Sequence, residues 1–72
     1  MTDTKLLRDT VEASGLKYKA IARYVGLTPY GLQKKIDNDT QYKADEIVAI
    51  SNLLNLSDVQ RDAIFFARHV EL

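Results

Sequence analysis

Apolar positions along this chain recur at three- and four-residue intervals, with polar positions filling the gaps, which is the signature of helices buried on one side. Leu7 and Val11 stand four apart and Gly15 follows one turn later. A first helix is therefore expected from Asp3 or Thr4 to Ser14, stopped by a glycine in the left-handed region. Ile21, Ala22 and Val25 mark a second helix over about 17–25, ended by Gly26. Thr28 is a good N-cap, and Pro29 at the first helical position has no amide hydrogen to leave unsatisfied. They open a third helix that reaches about Asp37, with Leu32 and Ile36 facing inward. Residues 38–42 read as a polar connection. A fourth helix over about 43–54 carries Ile47, Ile50 and Leu54, its stripe widened by Val48 and Leu53. Ser57-Asp58-Val59-Gln60 fits a capping box and opens a fifth helix running to about His69. No stretch alternates as a half-buried strand does, so the expectation is an all-α, five-helix domain spanning residues 1–72.

The second and third helices are joined by very few residues. A close crossing of two helices needs a small side chain at the contact, a glycine at the corner and an apolar anchor on the second helix. Ala22, Gly26 and Leu32 meet those needs within a helix-turn-helix motif placed at about 18–36, with Ile21, Val25 and Ile36 as further core.

Charge sharpens this picture. The chain is formally neutral, yet five bases (Lys17, Lys19, Arg23, Lys34, Lys35) and no acid lie between Ala13 and Ile36. From Asp37 to Leu72, three bases face seven acids. One face attractive to phosphate and another that repels it are implied.

The spacing of Ala22, Gly26 and Leu32, together with the tail LSDVQRDAIFFARHV, resembles the phage Cro/CI family of small helix-turn-helix regulators along nearly the whole chain. The resemblance implies a lambda-repressor-like helix-turn-helix fold and a role in a lysis–lysogeny switch, in the cytoplasm of a bacterial host. In that family the second helix of the motif enters the major groove and its first residues reach base edges. Carried over by position, these are Thr28, Pro29, Tyr30, Gln33 and Lys34. Gln33 suits adenine, and Lys34 suits guanine or a phosphate. Lys17 and Lys19 would lie on the DNA backbone. Thr28 reads equally as a plain N-cap. Gly31 serves either close approach of a partner or packing against the second helix. Lys35 is expected to face away.

The sequence departs from the family pattern in three ways. Tyr18 replaces a frequent glutamine, Pro29 replaces a frequent polar reader, and Asp37 and Asp39 place carboxylates where phosphate would pass. Affinity for DNA rests largely on phosphate neutralisation, for which a neutral chain has little surplus. Two mechanisms stay open. One is direct operator binding to double-stranded DNA. The other is antirepression, in which the 28–35 surface, with Asp37 and Asp39 mimicking phosphates, binds the phage CI-type repressor, alone or together with operator DNA. A host or toxin–antitoxin regulator on the same domain is a third, weaker reading.

The apolar cluster 63–67 adds a further candidate. Val59, Ala63, Phe66 and Val70 make a stripe expected to cover the core, which turns Ile64 and Phe65 elsewhere, with Arg68 one turn beyond Ile64. Those three residues read either as a protein interface or, for the rings, as a lid on the core. Tyr24 and Tyr42 read as half-buried helix-edge residues, and Asp45-Glu46 as acids suited to a helix start. With no cysteine and one histidine, His69, no metal site or cofactor is expected. Neither a catalytic cleft nor a small-molecule ligand is expected of so small a helical domain. No apolar run is long enough for a membrane span, and MTDTKLLRD lacks the apolar stretch of a signal peptide.

Overall fold

Most of the helix ends have a local cause. In the computed structural model, which describes residues 2–37 and 41–67, the Asp3 carboxylate accepts from the Leu6 N–H at 2.9 Å and starts α1, Thr4–Ser14. Gly15, at φ 74°, closes it. The next helix, α2, covers Tyr18–Val25 and ends in a Schellman turn, with Gly26 at φ 80°, the Leu27 N–H donating to the Ala22 carbonyl at 2.8 Å and the Gly26 N–H to the Arg23 carbonyl at 3.4 Å. The third helix, α3, runs Pro29–Asp37. Its cap is Thr28, whose Oγ1 accepts from the Gly31 N–H at 2.9 Å.

The fourth helix, α4, is Ala44–Leu53. It closes in a second Schellman turn built on Asn55, at φ 54°, with the Leu56 N–H donating to the Ser51 carbonyl at 2.9 Å. Asparagine tolerates that region better than most residues, which is why the helix stops there without a glycine. The last helix, α5, is Asp58–Phe65, and the expected capping box is present in both directions, Ser57 N–H to Gln60 Oε1 at 2.9 Å and Gln60 N–H to Ser57 Oγ at 3.1 Å.

Every helix contributes to a single core of Leu7, Val11, Ile21, Ala22, Leu32, Ile36, Ile50, Ile64 and Phe65. Helix α2 packs on α3 and α4, α1 on α3 and α5, and α4 on α5. Ala22 is fully enclosed, as the small residue of the crossing must be. Among the described residues there is no strand, and no helix is long and apolar enough to cross a membrane.

The C-terminal helix corrects two expectations. It is rotated relative to the sequence reading: Ile64 and Phe65 are 2% and 3% exposed, while Val59 is 79% and Phe66 54% exposed. The rings are divided between core and surface, and Ile64 and Phe65 are not available as a protein interface. The helix also ends at Phe65 rather than near His69, because the Ile64 carbonyl, which another turn would use, accepts from the Asp3 N–H at 2.6 Å. Val48 is 55% exposed and so does not widen the core stripe of α4, and Tyr24, at 56%, is a surface residue rather than half-buried. Arg68, His69 and Val70 lie outside the described residues.

Candidate functional site

The motif holds α3 against α2 through Ala22, Leu32 and Ile36, which leaves the opposite side of α3 outward. Tyr30, Gln33, Lys34 and Asp37 line one shallow depression on that side. Three- and four-residue spacing puts these side chains on one helix face. Tyr30 is 74% exposed, and the Lys34 ammonium stands 5.7 Å from its centroid, within cation–π range. This face therefore offers an apolar plate, an amide, a cation and a carboxylate.

Thr28 and Pro29 do structural work at the start of this helix. Both are exposed, but the Thr28 hydroxyl is engaged as the cap. Gly31 is not required by packing against α2: a Cβ placed there would meet only Thr28 Oγ1, at 3.0 Å.

The basic residues divide into two groups. Lys17 and Lys19 are exposed around the start of α2 and line a separate shallow surface with Arg23, Leu16, Gly15 and Ala20. Arg23, one of the five bases of the 13–36 block, belongs with them in space. Lys35 faces away from the depression, as expected. Its ammonium lies 3.3 Å from Glu46 Oε1, donates to the Gln41 carbonyl at 3.4 Å and stands 5.4 Å from the Tyr42 ring centroid. Glu46, only 7% exposed, also accepts from the Lys43 N–H at 2.8 Å and so starts α4 while tying it to α3. The sequence had offered Glu46 only as a dipole-compatible acid. Tyr42 is half-buried, edge-on to Phe65 at 5.4 Å between centroids.

Asp37 is paired. Its Oδ1 accepts from Arg8 Nη2 at 2.9 Å, across from α1, with 50% and 43% of the two side chains exposed. Arg8 was absent from the sequence-based candidates because nothing local links it to a residue 29 positions away. Asp39 falls outside the described residues. Among those described, no three acidic, histidine or cysteine side chains are grouped so as to hold a metal ion. Compared with protein-family models, curated proteins and solved structures, the chain matches none of them.

Proposed function

We propose that this protein is a phage-type antirepressor of the Cro/CI-like helix-turn-helix kind, which captures a CI-type repressor by docking the outward face of α3 on the repressor's DNA-reading surface. The observation that carries this reading is the composition of that face. Tyr30, largely exposed, supplies an apolar anchor of the kind that dominates protein interfaces, and Gln33, Lys34 and Asp37 surround it with polar groups. A formally neutral chain is a weak holder of DNA by itself, whereas a protein contact needs no net charge. The second reading, direct binding of operator DNA, is favoured by Lys17, Lys19 and Arg23, exposed together beside the motif. Those cations also suit a complex in which repressor and DNA are bound at once.

The two readings separate on one substitution. Asp37→Lys removes a carboxylate from a surface facing a basic repressor and adds a cation to a surface facing DNA. Titrations of wild type and variant against labelled repressor and labelled operator, at two salt concentrations, are expected to show weaker repressor capture and stronger DNA binding. Repressor affinity unchanged by the substitution would rule out a contact through Asp37, and absence of any repressor capture would leave the DNA reading alone.

A further inference from the structure

We propose that Arg8 is an internal competitor for the recognition surface: it occupies, through Asp37, the carboxylate with which that surface takes a cationic side chain of a protein partner. The inference deepens the antirepressor reading and rests on it for the partner's class. Three features of the pair lead there. First, it joins two helices, α1 and α3, at 2.9 Å, while each member stays about half exposed and can exchange partners without unfolding anything. Second, Asp37 lines the depression with Tyr30, Gln33 and Lys34, and Arg8 does not, so the group on offer to a partner is the anion. Third, the other cations of the last turn are occupied elsewhere: Lys35 with Glu46 and Gln41, and Lys34 over the Tyr30 ring.

The physical consequence is an exchange. With the pair closed, the described part of the α3 face carries a net positive charge from Lys34 and weakly repels basic surfaces. An incoming arginine or lysine, brought close by burial of Tyr30, replaces Arg8 on Asp37, so one charge-assisted hydrogen bond is traded for another. Capture then needs the apolar contact as well as the charge, which discriminates a shaped protein surface from any polycation. The displaced Arg8 guanidinium is released at the edge of the interface.

Lys5 and Asp9 supply an internal control, since they form an exposed ion pair at 3.0 Å within α1. Arg8→Ala and Lys5→Ala change net charge equally, and each frees one aspartate, but only Asp37 lies on the recognition face. A short polyarginine peptide serves as probe, with amide chemical shifts recorded on full-length wild type, Arg8→Ala, Lys5→Ala, Asp37→Asn and the Arg8→Ala/Asp37→Asn double variant. Arg8→Ala is expected to bind the probe about two- to five-fold more tightly than wild type, the range an exposed pair commands. Its shifts should centre on 33–37, and Asp37→Asn should abolish the gain. Lys5→Ala should gain nothing at 33–37. The proposal is overturned if Arg8→Ala equals Lys5→Ala at those amides, or if the gain survives Asp37→Asn. It is equally overturned if Arg8→Ala weakens binding to a duplex DNA more than Lys5→Ala does, because Arg8 would then be a phosphate contact. None of these readouts requires a repressor, so failure of the antirepressor reading shows separately, as wild type that does not bind repressor.

Discussion

Replacing Ala22 by leucine tests the helix crossing on which everything at the surface depends. Ala22 is 0% exposed, enclosed with Ile21, Leu32 and Ile36 where α2 packs on α3. The substitution adds three carbons at a fully enclosed helix contact, so either the helices part or a neighbour leaves its rotamer. Overpacking of this kind costs about 1–3 kcal/mol. A domain of this size has roughly 4–11 kcal/mol in total, and each kcal/mol moves its thermal midpoint by about 4–8 °C. A cost near 2 kcal/mol therefore lowers Tm by about 8–16 °C. Ala20→Leu, on the same helix but exposed, is the control and is expected within about 0.5 kcal/mol of wild type. Far-ultraviolet circular dichroism melts of the three proteins give the comparison. Equal midpoints for Ala22→Leu and Ala20→Leu would refute the close crossing, and with it the placement of Tyr30, Gln33 and Lys34 on an outward face.

Other substitutions probe other parts of the frame by the same melts or by urea titration. Ile64→Ala should cost about 2–5 kcal/mol and Phe66→Ala less than about 1, the reverse of what the apolar stripe through Phe66 suggests. Glu46→Ala, which strips Lys35 of its carboxylate and the Lys43 N–H of its acceptor, should cost about 1.5–3 kcal/mol. Gly26→Ala meets open space, so its cost is conformational alone, about 1–2 kcal/mol for a left-handed alanine.

Much of this architecture was legible because its determinants are local. Thr28, Ser57 and Gln60 announce helix starts through hydrogen bonds made within three residues, Pro29 does so by having no amide hydrogen to satisfy, and Gly15 and Gly26 announce stops through positive φ. The grouping of Tyr30, Gln33, Lys34 and Asp37 follows equally from helical spacing. The errors have a different origin. In α5 two apolar stripes interleave, one through Ile64 and Phe65 and another through Val59, Ala63 and Phe66, and periodicity alone does not choose between them. Packing against α1 and α4 chooses. The end of that helix is set by Asp3, far away in the chain, and so carries no local sign. The same holds for Arg8 with Asp37 and Lys35 with Glu46. Both pairs join the C-terminal end of α3 to another helix, and such pairings exist only once the helices are packed.

The central claim, that the outward face of α3 is a protein-binding surface, meets its most direct test in solution sizing. Wild type and Tyr30→Ala are each mixed with the CI-type repressor, with operator DNA, and with both, and the complexes are separated by mass. Tyr30 is outside the core, so the two proteins are expected to melt alike. Wild type should form a defined complex with the repressor and none of comparable stability with DNA alone, and Tyr30→Ala should elute free of repressor. Wild type that ignores the repressor yet binds operator alone at about 10⁻⁸ M or tighter, as specific DNA-binding proteins do, would contradict the claim.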